Sequence, residues 1–154
     1  YNSVVFYNKW KEKFSFYLKE DLVPFGEYYP NWFLKIFGFL NIENMKYKFY
    51  ISGRNFEKNN YYFRFNNIDF RVLICFESFK YLKYKEKSNN IDFILVSSND
   101  MWYKGFFMDI LHLKSIKILS IYTKLPVLFN ANGNTNGLFF IFKNHNLDKK
   151  IYII

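Results

Sequence analysis

Cysteine, histidine, proline and glycine are scarce in this chain of 154 residues: one Cys, two His, three Pro and six Gly. A lone Cys75 excludes an internal disulfide framework and any cysteine-cluster zinc site, and leaves a single thiol. There is no HExxH-type metal motif and no glycine-rich phosphate loop, so neither metal nor cofactor is expected. Long apolar runs are missing too. Val72–Phe76 and Ile91–Val96 are far shorter than the ~20 apolar residues that span a bilayer. The sequence opens on Tyr1 and carries no signal peptide. This reads as an excerpt or a decayed gene, so the lack of a membrane segment here does not exclude one in a parent chain.

Aromatic and basic residues are abundant. The chain is 51% hydrophobic and 25% aromatic, with 21 Phe and 14 Tyr, and its 22 basic against 13 acidic residues give a net charge of +9. That length and composition suit one domain, 1–154, with a real core. The excess of Lys, Asn, Ile, Phe and Tyr matches the residue bias of an AT-rich genome, which lowers the weight of the positive charge as a clue to partners. Aromatics interleaved with basic residues over Tyr61–Arg71 have the composition of an RNA-binding surface. No nucleic-acid motif accompanies them, and no nucleic-acid partner is expected.

The pattern predicts a hairpin within Tyr1–Glu20, a Pro- and Gly-punctuated loop over Leu22–Pro30, and a short helix over Trp32–Leu40. A second hairpin turns at Asn66-Asn67. Within its second arm, Ile68–Phe76, the stretch Phe70–Phe76 becomes a continuous apolar run suited to a strand buried on both faces. Lys80–Asn90 reads as a polar helix or loop, and Ile91–Val96 as another buried strand. Phe106–Thr123 has a thick apolar stripe of helical period that stops before Pro126. Val127–Phe129 reads as a strand. Leu138–Phe142 and Ile151–Ile154 read as a closing hairpin around Asn144–Lys150. Strands alternating with a long helix give an α/β class.

Three residues become interesting as a set. Cys75 ends an apolar strand, where α/β folds commonly place reactive groups, although a lone Cys in such a run is more often a small buried hydrophobe. A thiol nucleophile needs a nearby cation or base. Lys19, at the end of a strand, is ordinarily a solvated terminus. Buried beside Cys75, it could stabilise a developing oxyanion. Glu27, ordinarily a surface turn acid, would then orient the ammonium.

Lys19 together with Leu22-Val23-Pro24-Phe25-Gly26-Glu27-Tyr28-Tyr29-Pro30 resembles the lysine and second-glutamate motif of the nitrilase superfamily, in the form typical of its apolipoprotein N-acyltransferase branch. Tyr1-Asn2-Ser3 resembles the strand before that motif. Leu73-Ile74-Cys75-Phe76-Glu77 resembles the nucleophile strand, where Tyr usually stands at Phe76. Ser98-Asn99-Asp100-Met101-Trp102-Tyr103 resembles a loop of the same branch. His112, Pro126 and Asn132 match residues of the helix, strand and loop that follow. The motifs occur in family order along nearly the whole chain.

The resemblance implies an α-β-β-α sandwich, truncated at its amino-terminal side. It also implies a Cys thioester mechanism that moves a fatty acyl group from a phospholipid to the amino terminus of an apolipoprotein. Cys75 would be the nucleophile. Lys19 would stabilise the oxyanion, helped by the backbone N–H of Phe76, and Glu27 would support it. Glu77 resembles a residue essential in the branch, and Trp102 and Tyr103 would line the acyl approach. The parent would sit in a bacterial inner membrane with this domain facing the periplasm.

Several features depart from the family pattern. The general-base glutamate of the triad lies upstream of Tyr1-Asn2-Ser3 in the family and has no counterpart here, so no turnover is expected from these residues alone. Tyr122, Leu125 and Phe129 stand where charged residues are usual. A soluble nitrilase-type amidase using the same Cys75 and Lys19 is the alternative. A Cys–His protease pairing Cys75 with His112 or His145 lacks any accompanying signature.

Overall fold

The computed structural model describes residues 2–9, 11–37, 62–84, 90–103, 108–132, 138–143 and 146–152, with the backbone alone for 81, 84, 102, 103, 108, 109, 138–143 and 146–152. Strands β1 (Ser3–Asn8) and β2 (Lys13–Leu18) form an antiparallel hairpin, as expected. Helix α1 covers Asn31–Phe37, starting one residue before the expected Trp32; positions 38–40 of the expected helix lie outside the described residues.

A six-stranded sheet runs in chain order: β3 (Tyr62–Phe65), β4 (Ile68–Ile74), β5 (Phe93–Ser98), β6 (Val127–Ala131), β7 (Leu138–Lys143) and β8 (Asn146–Tyr152). β3 and β4 are joined by Asn66 (φ 47°) and Asn67 (φ 64°). Asn tolerates this left-handed pair, which matches the twist of a two-residue hairpin. β4, β5 and β6 are parallel, while β7 and β8 return antiparallel. The closing hairpin differs from expectation. Asn146–Lys150, expected in a loop, belongs to β8. The β7 backbone offers it a ladder, and polar residues are well tolerated on an edge strand.

Alternation along the central strands sends side chains to two cores. Phe70 and Val72 meet Phe63 and Tyr17, with Val4 and Phe6 of the hairpin packed against them. Leu73, Ile94, Val96, Val127 and Phe129 face the other way, onto Ile116 and Leu119 of helix α2 (Met108–Thr123). The layers are therefore hairpin, sheet and helix, a mixed α/β architecture. Four consecutive residues of β4, Phe70–Leu73, are buried; Phe70, Val72 and Leu73 suit the expected apolar run, and the fourth is the charged Arg71.

The stripe of α2 is less buried than its composition promised. Ile116 and Leu119 are in the core and Leu113 packs against it, whereas Ile110, Leu111, Ile118 and Ile121 are exposed. Seven apolar positions exceed what one face of a helix can turn toward a sheet. The helix ends with Lys124 in the left-handed region (φ 59°), ahead of Pro126. The Thr123 hydroxyl donates back to Leu119 O at 2.7 Å.

Candidate functional site

Cys75 follows the last residue of β4 and adopts φ 51°. For a side chain with a Cβ this left-handed geometry costs about 1 kcal/mol or more. The chain reverses there into 3-10 turns over Cys75–Tyr84, broken at Lys80. A sharp strand-to-helix turn of this kind lifts a side chain out of the sheet end. The expected strand extended through Phe76; the turn cuts it at Ile74.

Lys19 comes to the same end from the hairpin. Its backbone N–H donates to Asn2 O at 2.8 Å, which continues the β1–β2 ladder past Leu18. The ammonium is 1% exposed and lies 2.8 Å from each carboxylate oxygen of Glu27. It is thus no solvated strand terminus. Glu27 also accepts from the Val23 N–H at 2.7 Å and from the Asn2 side-chain amide. The loop that carries it is tight. Phe25 N–H donates to Tyr28 O, Glu27 N–H donates to Val23 O, and Phe25 takes φ 62°. A Cβ on Gly26 would approach Val23 Cγ1 to 3.3 Å, so a larger residue there would push the Val23 side chain back by a few tenths of an ångström.

Glu77 ties these two segments together. Its Oε1 accepts from the Tyr17 hydroxyl (2.7 Å), Glu20 N–H (2.8 Å) and Asp21 N–H (3.2 Å), and its Oε2 accepts from Ile74 N–H at 2.7 Å. The residues flanking Lys19 and the residue before Cys75 are therefore held by one buried carboxyl. Burial pushes that carboxyl above its ordinary value, against the pull of Ile74 N–H, the Tyr17 hydroxyl and the Glu20 and Asp21 N–H groups. The Glu77 side chain is completely buried and does not line the cavity.

Glu20 and Asp21 are buried in turn, and Lys83 reaches both while Lys80 reaches Asp21 at 3.0 Å. Burial alone would raise the Asp21 carboxyl; Lys83 and Lys80 together overcome it and hold the group below its ordinary range.

Between these elements lies a cavity of about 340 Å³. Cys75, Lys19 and Glu27 all line it. Asn2, Ser3, Val4 and Ile74 form one wall, and Ser97, Ser98, Asn99 and Asn132 another, at the carboxyl ends of the parallel strands. A thiol, a buried ammonium and amide groups around one small space can hold a carbonyl compound and stabilise negative charge on its oxygen.

Of the sequence-derived site residues, the structure thus gathers Cys75, Lys19 and Glu27. Phe76 does not line the cavity; its ring stacks on Phe79 at 5.8 Å. The side chains of Trp102 and Tyr103 lie outside the described residues, as does His145. His112 is buried against Asp100 and Ser78 rather than facing the cavity, so it is not a direct partner of the thiol. Sequence reasoning missed the work of Tyr17 and Asn2. Tyr17 stands two residues before Lys19 on the same strand face, the one available signal for it.

No family model matches the sequence, and no curated protein matches it. The fold is similar to that of glutamine-dependent NAD+ synthetase from Acinetobacter baumannii, solved with adenosine diphosphate, at a TM-score of 0.58 and 14% identity. The match covers 97% of this chain and 28% of that one, so the chain spans less than a third of the synthetase's length. At this identity the likeness is one of α/β fold. The resemblance to the acyltransferase branch rests on the motifs. Among the described residues there is no cluster of metal ligands, and no helix is long and apolar enough to cross a membrane.

Proposed function

We propose that Cys75 is the nucleophile of a nitrilase-like acyl-transfer reaction on an α-β-β-α scaffold of which this chain supplies a part. The observation that carries the reading is the shared cavity: a thiol on a strained turn and a buried, carboxylate-held ammonium open onto the same space. The Cys75 sulfur attacks an acyl carbonyl, an S–C bond forms, and the carbonyl π pair moves to oxygen. Lys19 stabilises that oxyanion. Collapse expels the leaving group with a proton and leaves a thioester. An acceptor then attacks the thioester carbon, the new bond forms, and the thiol is regenerated. Glu27 is already engaged by Lys19, Asn2 and Val23. It therefore keeps the ammonium charged and aimed rather than taking the thiol proton. The resemblance assigns that proton to a glutamate upstream of Tyr1.

The motif set favours a phospholipid as donor and the amino terminus of a diacylglyceryl-cysteine apolipoprotein as acceptor. That places the parent in a bacterial inner membrane with this domain on the periplasmic side. The second reading, an amidase that breaks a carbon–nitrogen bond, is favoured by the fold likeness to a glutamine-dependent enzyme. Both readings share Cys75 and Lys19 and differ in the donor.

Intact-mass measurement separates them. The full-length parent chain is incubated with phospholipid in detergent micelles, or with glutamine, alongside its Cys75→Ala variant. An acyl mass from the phospholipid on Cys75 supports the acyltransferase, and a glutamyl adduct or ammonia release supports the amidase. Adducts that persist in Cys75→Ala overturn both.

A further inference from the structure

Behind the Cys75 turn, a polar chain crosses the core between the sheet and α2. Asp100, in the 3-10 turn after β5, lies 3.0 Å from His112 Nδ1, and Ser98 donates its hydroxyl proton to the same carboxylate. His112 Nε2 lies 2.9 Å from Ser78 Oγ, and Ser78 Oγ lies 3.0 Å from the carbonyl oxygen of Cys75. Ser78 and His112 are both buried, and neither lines the cavity. The Asp–His–Ser order imitates a hydrolase triad, but no substrate reaches this hydroxyl. Its outlet is the backbone of the nucleophile.

Counting protons shows what the chain does. Ser78 has one hydroxyl proton and three neighbours: Cys75 O, His112 Nε2 and, at 3.3 Å, Ser115 Oγ. Ser115 gives its own proton to His112 O at 2.7 Å, so toward Ser78 it only accepts. When both ring nitrogens of His112 carry protons, Nδ1–H donates to Asp100 and Nε2–H donates to Ser78. The Ser78 proton is then free for the Cys75 carbonyl. When Nε2 is bare, it competes with that carbonyl for the one proton. Asp100 is kept ionised for this: burial opposes it, but the hydrogen bond and charge of His112 and the Ser98 hydroxyl hold its carboxyl below the ordinary value. Asp100 is the charged group facing His112 among the described residues. The rings of Phe79, stacked at 5.3 Å, and Phe129 at 4.8 Å also pack on it.

We infer that His112 is a positioning residue for the nucleophile: anchored by Asp100, it sets through Ser78 whether the Cys75 carbonyl, and with it the left-handed turn that aims the thiol, is held. This rests on Cys75 being the reactive thiol of the proposed function. Left-handed backbone at a bulky residue persists only where its surroundings over-determine it, and the Ser78 bond is such a restraint.

The test is the rate of Cys75 alkylation by iodoacetamide from acid to alkaline pH in wild type, Ser78→Ala and His112→Phe, the latter keeping the ring packing. Wild type is expected to show an inflection from His112 in addition to the thiol's own. Both variants are expected to lose that inflection; Ser78→Ala is expected to react about tenfold more slowly where His112 is protonated, a misplacement effect, whereas His112→Phe, which leaves no ring nitrogen to compete for the Ser78 proton, is expected to keep the faster rate throughout. The second measurement is the titration of His112 followed by ring-nitrogen NMR, whose midpoint is expected to move in Ser78→Ala. Folded variants with the wild-type profile, or a His112 titration indifferent to Ser78→Ala, overturn the inference. If instead wild type shows the relay but never carries an acyl group on Cys75, the proposed function fails and the relay stands.

Discussion

The ammonium of Lys19 sits between two carboxylate oxygens of Glu27, each 2.8 Å away, although the two residues belong to different elements eight positions apart. One follows a hairpin strand, the other lies in the tight loop over Val23–Tyr28. The pair places a fixed, dry positive charge on the wall of the cavity that Cys75 enters. A charge so placed has its greatest effect on an oxyanion, because little solvent has to reorganise as the reaction proceeds.

Removing either member has a separable outcome. Lys19→Met is expected to slow acylation of Cys75 by about 10²–10³-fold, the scale of losing one oxyanion donor. Glu27→Gln leaves a buried cation without its counter-charge and is expected to destabilise the fold by about 3 kcal/mol. Urea unfolding checks the second; a Glu27→Gln protein as stable as wild type contradicts the description of Lys19 as buried and dependent on its partner.

Strain at the thiol is directly measurable. Cys75→Gly releases the left-handed backbone from its Cβ penalty, whereas Cys75→Ala keeps it. The glycine variant is expected to be more stable than the alanine variant by about 1 kcal/mol in thermal unfolding. Equal stability, or a more stable alanine variant, removes the case for a strained turn.

The Glu77 carboxyl bonds both the segment that carries Lys19 and the residue before Cys75. Glu77→Ala orphans the Tyr17 hydroxyl and the backbone N–H groups of Glu20, Asp21 and Ile74. Buried donors left without acceptors cost about 1–3 kcal/mol each, so this change is expected to loosen both the Lys19 and the Cys75 segments. Hydrogen exchange at Glu20 and Ile74 should accelerate together. Acceleration at one alone contradicts the idea that a single carboxyl couples them.

Acid stability follows from the opposing shifts of three carboxyls. Asp21 and Asp100 lie below their ordinary value of 3.8 in the folded chain. The unfolded chain therefore takes up their protons first, and the stability they contribute is lost as pH falls below 3.8 through their folded values. Glu77 lies above its ordinary 4.5, so acidification toward 4.5 adds stability through that group. Urea midpoints are expected to hold or rise as pH drops from 7 toward about 5, then fall steeply below about 4. Asp21→Asn should flatten the acid limb, and an unchanged limb contradicts the role given to Lys80 and Lys83.

The sequence made the strands of this fold legible where periodicity and turn chemistry agree. Asn66-Asn67 marks a hairpin because two adjacent left-handed residues have few other uses, and Val72–Ile74 marks a doubly covered strand because no polar face interrupts it. Cys75, Lys19 and Glu27 were visible as a set through motif order, and the structure brings them to one cavity. What composition could not show was burial of the run Lys19-Glu20-Asp21. Three consecutive charges ordinarily mean solvent; here each finds a partner from a distant segment. The Ser78–His112–Asp100 chain was hidden for the same reason, since its members come from three elements. The extent of β8 was obscured because edge strands carry polar residues that also suit loops.

The most direct test of the thiol as nucleophile is time-resolved intact-mass spectrometry after mixing the protein with an activated fatty acyl ester. The account predicts one hydroxylamine-sensitive acyl group, mapped to the peptide containing Cys75, absent in Cys75→Ala and slowed in Lys19→Met. Acylation confined to lysines or serines, or a Cys75 adduct whose rate ignores Lys19→Met, would contradict it.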